Sequence, residues 1–330
     1  MGALSVIDTN STATPCQAIA LAVDWGTSSF RMMAVSASSE ILASFQSESG
    51  ASTLAKEQFA PYLHTVIKAQ FGSVAALPLI LSGMVGSGIG WVEVPYLACP
   101  ATPDALARAL HTIDSDGLQA TIVPGLRCQN SAGGPDFMRG EETQVVGWLA
   151  STEAANHRRA TLCLPGTHSK WVCIEDGQIR HFSTALTGEL FSCLRAHSIL
   201  IKGKQRTDDT AFCRGVNDSR RGLSSQLFAT RALVLAGDLP PASAQSYLSG
   251  LLIGAELREK GAEHTSTDPI HVIGSSSLCA LYQRALGILG TSCQTHDGAR
   301  LAAVGLAALA THTTNSTLQA DTAALARISP

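Results

Sequence analysis

The chain has 330 residues, 45% of them hydrophobic and 15% charged, which is enough apolar material for two domains and excludes both a disordered chain and a small stapled module. Its 23 Lys and Arg against 26 Asp and Glu leave a net charge of -3, so the chain lacks the basic field that a nucleic-acid backbone demands. Apolar runs such as 18–23, 232–236 and 301–310 stop short of the roughly 20 residues of a membrane helix, no secretory pattern opens the chain, and nine Cys without a C-x-x-C pair read as reduced thiols in a cytoplasmic protein.

In chain order, Ala18 to Asp24 is an apolar run ending in an acid, Trp25 to Ser29 supplies turn residues and Phe30 to Val35 is apolar again, which predicts a hairpin with a small-residue tip. Glu40 to Gln46 predicts a third strand, and Lys56 to Gln70 carries Phe59, Leu63, Val66 and Ile67 at helical spacing. Leu77 to Leu81 predicts a buried strand that runs into the Gly-rich stretch 82–91, a loop type that faces ligands. A helix at Pro103 to Leu110, a short strand at Ala120 to Val123 and a helix at Gly140 to Ala150, entered through Met138 and Arg139, complete the first half. The pattern then restarts. Ala160 to Leu164, the turn Pro165 to Ser169 and Lys170 to Ile174 predict a second hairpin, followed by a strand at Gln178 to Thr184 and a helix at Gly188 to Leu200. Thr207 to Gly261 shows no strand pattern; Ile270 to Ile273 is a short strand running into Gly274 to Ser277 and a helix, and Asp297 to Leu309 is an Ala-rich helix. The recurrence predicts an α/β domain pair around a cleft: a disordered extension at 1–17, a first domain at 18–155, a second at 156–310 and a peripheral tail at 311–330.

Three turns carry the residues of a phosphate site. Asp24, Gly26, Thr27 and Ser28 place a carboxylate, a close-approach glycine and hydroxyls on the first hairpin tip; Gly166, Thr167, Ser169 and Lys170 do so on the second; Gly274 and Ser275 follow the later strand. One such turn alone is as well explained as an ordinary polar hairpin tip, but three in matching order point to a nucleotide. No G-x-x-x-x-G-K-[ST] or G-x-G-x-x-G run occurs, so the site is neither a P-loop nor a Rossmann turn. His and Cys are not spaced for a zinc site.

With these hairpins the chain resembles the acetate and sugar kinase, Hsp70 and actin superfamily. Five collinear segments, Asp24 to Ser28, Gly83 to Ser87, Met138 to Gln144, Pro165 to Trp171 and Leu186 to Leu190, make it similar to the 2-dehydro-3-deoxygalactonokinase family over 18–310. The resemblance implies two ribonuclease-H-like, actin-like ATPase domains, with ATP and Mg²⁺ as cofactors. It also implies transfer of the γ-phosphoryl group to the terminal hydroxyl of a small sugar acid, with no membrane or nucleic-acid partner and a homodimer left open. On that reading Asp24 serves the Mg²⁺ shell, and Glu141 or Glu142 is the base, although both also suit the acidic first turn of a helix. Asp136 is a weaker candidate. Lys170 would neutralise phosphate charge. Arg31, Gly83, Met84, Gly86, Arg139, His168 and Glu189 are expected at the sugar acid, whose carboxylate suits an Arg fork or loop N–H groups. Trp91 and Tyr96 stand among apolar neighbours and read as core or as a wall for the sugar chain. A polyphosphate hydrolase and a non-catalytic nucleotide sensor on the same fold are the alternatives; the first lacks a basic channel.

Overall fold

Alternating apolar runs and small-residue turns build two sheets with one strand order. The computed structural model describes residues 17–72, 77–153, 157–261 and 268–311; the expected extension and tail lie almost wholly outside these residues. The first sheet holds β1 (Ala18–Trp25), β2 (Phe30–Ser36), β3 (Ile41–Ser47), β4 (Leu79–Gly83), β6 (His111–Ser115) and β7 (Leu118–Ile122) in the order β3-β2-β1-β4-β7-β6. The second holds β10 (Arg159–Leu164), β11 (Ser169–Glu175), β12 (Gln178–Ala185), β13 (Ile270–Gly274) and β14 (Cys293–Asp297) in the order β12-β11-β10-β13-β14. In both sheets the first three strands form an antiparallel meander and the next two run parallel to the first. The strands that align with β1 therefore end on one edge, where hairpin tips and helix starts collect.

Helices fill the remaining layers: α1 (Phe59–Gln70), α2 (Pro103–Arg108), α3 (Glu141–Ser151), α4 (Thr187–His197), α5 (Asp209–Asp218), α6 (Leu223–Ala236), α7 (Ala244–Gly261), α8 (Ser276–Ile288) and α9 (298–311). The helix expected from Lys56 begins as a 3₁₀ turn at Lys56–Gln58, and α1 starts at Phe59. The strand expected at Leu77 to Leu81 lies at Leu79–Gly83, which carries Ser82 and Gly83 to the edge of the sheet. A third, small sheet of β5 (Leu97–Ala98), β8 (Leu126–Gln129) and β9 (Pro135–Met138) was not expected. Its strands β8 and β9 lie between β7 and α3, while β5 comes earlier, before α2; just past β5, the Ala101–Ile179 bridge docks this part on the second half.

The largest apolar core lies between the two main sheets. It joins Ala20, Ala22 and Met33 of the first sheet to Leu162, Val172 and Phe182 of the second through Val145 and Trp148 of α3 and Ala303 and Leu306 of α9. At the crossing of α3 and α9 the helix backbones touch. A Cβ at Gly147 would lie 1.9 Å from the Leu301 carbonyl oxygen, and one at Gly305 would lie 1.9 Å from the Thr143 carbonyl oxygen. Only glycine permits that approach, and the entropy it costs a helix interior is offset by the close packing. The same device recurs at Gly215 of α5 and Gly250 of α7, where a Cβ would lie 2.1 and 2.0 Å from an opposing carbonyl oxygen.

Gly147→Ala and Gly305→Ala are each expected to destabilise the protein by about 3 kcal/mol or more, since neither opposing carbonyl can move without its helix. Gly287→Ala in α8, where a Cβ meets nothing within 4 Å, should instead stabilise by about 0.5–1 kcal/mol. Urea unfolding of the three variants checks both signs.

Candidate active site

Both hairpin tips are braced from behind in the same way. At the β1–β2 tip, the Ala51 and Ser52 N–H groups donate to the Gly26 and Thr27 carbonyls at 2.9 and 3.0 Å, and Gly50 is pressed against Thr27 and Ser28. At the β10–β11 tip, the Glu189 N–H donates to the Thr167 carbonyl at 2.9 Å, and Gly188 is pressed against Gly166. Two further glycine pairs set the depth of the site. Gly140, at φ 109° before α3, faces Gly83 at the end of β4, and Gly298 at the start of α9 faces Gly274 at the end of β13. Tips and helix starts enclose a cleft of about 730 Å³.

Charged side chains converge on its floor. Asp24, at the end of β1, has its carboxylate 3.9 Å from Arg31 Nη1 on β2; burial pushes its carboxyl up while the Arg31 guanidinium pulls it partly back. Glu141, the first residue of α3, accepts from the Arg139 backbone N–H at 3.1 Å. Burial raises its carboxyl above the usual range, Lys170 opposes that shift and Asp24 adds to it. A recessed carboxyl of this kind has the elevated basicity of a proton acceptor. Lys170 Nζ donates to the Phe137 carbonyl at 2.7 Å and to Thr184 Oγ1 at 2.8 Å. Thr184 is in turn held by Asp136 through its N–H at 2.8 Å and its hydroxyl at 2.5 Å.

The two arginines of the cleft are held by part of their donors only. The Arg139 guanidinium lies 4.2 Å from the centre of the Tyr96 ring, and its Nη2 donates to the Val94 carbonyl at 2.7 Å. Arg139 Nε and Nη1 and Arg31 Nε are buried without hydrogen-bond partners among the described residues. Buried guanidinium N–H groups left open cost free energy unless an anion completes them.

Asp24, Gly26, Thr27, Arg31, Gly83, Met84, Arg139, Glu141, Gly166, Thr167, His168, Lys170, Gly274 and Ser275 all line this cleft, as expected from sequence. Five expected residues do not. Ser28 stands outside the lining behind Thr27, where Gly50 presses on its backbone. Gly86 packs beneath Arg139 Nη1. Ser169 is fully buried with its hydroxyl 3.1 Å from the Tyr282 hydroxyl. The Glu189 side chain stands outside the lining and pairs its carboxylate with His168 Nε2. Glu142 is the main correction: its side chain is fully buried, and both carboxylate oxygens accept from the Gly140 N–H, at 2.9 and 2.7 Å. It caps the start of α3 and has no access to a substrate. Asp136 braces Thr184, and Trp91 is core, stacked on Phe59 at 6.2 Å. Sequence reasoning missed Phe137, Gln144, Asp297 and Gly298, which also line the cleft. Asp297 carried one readable signal, its place as the cap of an Ala-rich helix, where it accepts from the Ala299 N–H at 2.8 Å.

Beside the cleft, and sharing Pro165, Gly166 and Leu278 with it, lies a second cavity of about 280 Å³ walled by Phe191, Phe212, Ile253 and Tyr282. Among the described residues no group of His, Cys, Asp and Glu forms a protein-only metal cage, and no helix is long and apolar enough to cross a membrane.

The family described as 2-keto-3-deoxy-galactonokinase matches residues 24–309. The probable 2-dehydro-3-deoxygalactonokinase of Rhizobium meliloti (strain 1021) is 37% identical over 88% of this chain and 95% of its own. The 2-dehydro-3-deoxygalactonokinase of Escherichia coli (strain K12) is 34% identical over 82% of this chain and 90% of its own. A crystal structure of a Sinorhizobium meliloti protein provisionally assigned as a 2-dehydro-3-deoxygalactonokinase superimposes with a TM-score of 0.79 at 35% identity, covering 88% of this chain and 97% of that one. An activator of 2-hydroxyisocaproyl-CoA dehydratase from Clostridium difficile, at 12% identity and a TM-score of 0.51 over 92% of this chain and 97% of that one, shares the fold alone.

Burial, then the neighbouring Glu141 charge, pushes the Glu142 carboxyl up from 4.5 to about 8. The folded state therefore holds a proton that the unfolded state releases, so this group lowers stability as pH rises from 4.5 to 8 and holds the penalty above. Glu142→Gln should raise the melting temperature by about 5–10 °C at pH 8.5 and change it little at pH 4.5. A scanning-calorimetry series across that range checks it; a gain that is equal at both ends contradicts the assignment.

Proposed function

The chain belongs to the 2-dehydro-3-deoxygalactonokinase family, and from that membership we propose that it transfers the γ-phosphoryl group of ATP to the terminal hydroxyl of 2-dehydro-3-deoxy-D-galactonate. The product is the 6-phosphate, and the step belongs to galactonate breakdown. The observation that carries the reading is one cleft in which two braced hairpin tips, the Asp24 and Glu141 carboxyls and the side chains of Arg31, Arg139 and Lys170 meet.

Phosphoryl transfer asks a protein for positioning and charge neutralisation rather than covalent work. We assign the triphosphate to the tips at Gly26–Thr27 and Gly166–Thr167, next to Lys170, and the nucleoside to Gly274, Ser275 and the adjoining apolar cavity. The sugar acid then lies on the side of Arg31, Gly83, Met84 and Arg139, where two guanidinium groups suit its carboxylate. His168 is oriented by Glu189 at the cleft rim. Glu141 accepts the proton of the terminal hydroxyl as that oxygen bonds to the γ-phosphorus and the bond to the ADP oxygen breaks. Its carboxyl, raised by burial, suits that role.

Mg²⁺ fits the donor set. One recessed carboxylate, Asp24, with no protein-only cage around it, matches an ion that takes most of its ligands from water and phosphate oxygens. Asp24 would hold it, and the ion would neutralise developing charge on the phosphates. Eight cysteines of the described residues are free thiols, which fits the reducing, ATP-supplied cytoplasm we assign.

ADP release measured with ATP, Mg²⁺ and, separately, 2-dehydro-3-deoxygalactonate, its gluconate epimer, free sugars and polyphosphate tests the reading; preference for the galactonate derivative is expected, and activity on none of them overturns it. In the same assay Glu141→Gln should lower kcat about 10²–10⁴-fold while Glu142→Gln stays within about threefold, because the Glu142 carboxyl is buried away from the cleft and bonds the backbone of Gly140. Arg139→Ala should raise KM for the sugar acid at least about tenfold and leave KM for ATP within about twofold.

A further inference from the structure

Beneath the apolar cavity lies a buried carboxylate that the mechanism does not use. Glu256, on α7, is 4% exposed. Its Oε1 accepts from Trp171 Nε1 at 2.8 Å and its Oε2 from the Tyr282 hydroxyl at 2.6 Å. The hydroxyls of Thr187 and Ser169 favour the charged form of the same carboxylate, and Ser169 Oγ lies 3.1 Å from the Tyr282 oxygen. Hydrogen-bond donors occupy the place a cation would take. Burial alone would press this carboxyl toward its neutral form, and all four partners act against that shift.

The four donors come from three elements, β11, α4 and α8, and converge on a carboxylate supplied by a fourth, α7. Trp171 and Ser169 lie on β11, directly after the second hairpin tip. Thr187 opens α4, whose Gly188 and Glu189 brace that tip from behind. Tyr282 lies on α8, and both Tyr282 and Thr187 line the apolar cavity. We propose that Glu256 is the positioning residue of the nucleotide side of the site, fixing the cavity wall formed by Tyr282 and Thr187 relative to the phosphate-binding tip at 165–168. The proposal rests on the assignment of ATP to this half. A satisfied buried network specifies one geometry, whereas one mismatched member leaves donors facing donors. Glu256 touches neither the sugar-acid side nor Glu141, so its loss acts on nucleotide affinity.

Glu256→Gln keeps size and shape while placing an NH₂ among hydroxyl donors; Tyr282→Phe and Thr187→Val each remove one arm. ADP affinity by calorimetry and the separate KM values for ATP and sugar acid are measured on wild type and all three. Glu256→Gln is expected to weaken ADP binding and raise KM for ATP about tenfold, with each arm giving a smaller change in the same direction. KM for the sugar acid should stay within about twofold. Unchanged ADP affinity in a folded Glu256→Gln protein overturns the proposal, as does an equal rise in both KM values. Should that variant not fold, unchanged ADP affinity in both Tyr282→Phe and Thr187→Val overturns it as well. Wild-type protein that binds ADP but phosphorylates no sugar acid overturns the functional reading alone, and the ADP affinities still decide the role of Glu256.

Discussion

The contact between Gly147 and Gly305 sets the geometry of everything around the cleft. Helices α3 and α9 cross with backbone against backbone, each glycine facing the carbonyl four residues before the other. With no side chain between them, the axes cannot slide or separate without opening the shared core of Val145, Trp148, Ala303 and Leu306. Fixing the crossing fixes where each helix begins. Seven residues upstream of each crossing glycine, Gly140 and Gly298 meet Gly83 and Gly274 at the ends of equivalent strands. The first residue of α3 is Glu141, so the position of the candidate base follows from a packing constraint about two turns away. Pseudo-twofold duplication thus gives the molecule two helix starts aimed at one cleft.

Duplication does not make the two halves chemically alike. The first tip is preceded by Asp24 and the second by Leu164 and Pro165, while Lys170 follows the second where Phe30 and Arg31 follow the first. Carboxylates therefore gather on one side, raised by burial and held in check by Arg31 and Lys170. Raised carboxyls suit proton acceptance and an aqueous cation, but repel a triphosphate and a sugar acid. The guanidinium groups of Arg31 and Arg139 line the same cleft and set positive charge beside those carboxyls. Glu142 shows the opposite use of the same residue type: turned inward onto Gly140, it shapes the entry to α3 at a cost in buried charge.

What the sequence made legible was whatever depends on apolar runs and small-residue turns. The two hairpins, the order of strands and helices, and the glycine turns at 26, 166 and 274 were readable because each is a local pattern with a local cause. Strands β8, β9 and β14 were not readable: they are short, polar at alternate positions and partly exposed, so no periodicity distinguishes them from loops. With them went Phe137 and the cleft-facing side of Asp297, whereas Gln144 went unnoticed on α3, a helix the periodicity did reveal. The polar stretch 202–221 held no motif, yet it contains α5, capped by Asp208, and a wall of the smaller cavity. The choice between Glu141 and Glu142 was beyond spacing, since adjacent residues on a first helical turn differ only in which way the helix faces.

Lys170, expected from sequence at a phosphate, has a structural part in the cleft as well. Two of its three ammonium hydrogens go to Phe137 and Thr184. Those bonds tie the inserted sheet of the first half to the second, because Phe137 belongs to β9 and Thr184, braced by Asp136, to β12. One N–H remains for an anion, and the charge as a whole lowers the carboxyl of Glu141. The ammonium group thereby links the docking of the small sheet, the placement of Arg139 just beyond β9 and the basicity of the candidate base. A lysine solvated on a strand would leave these three to vary separately; buried and bonded as it is, it makes them one property of the folded chain.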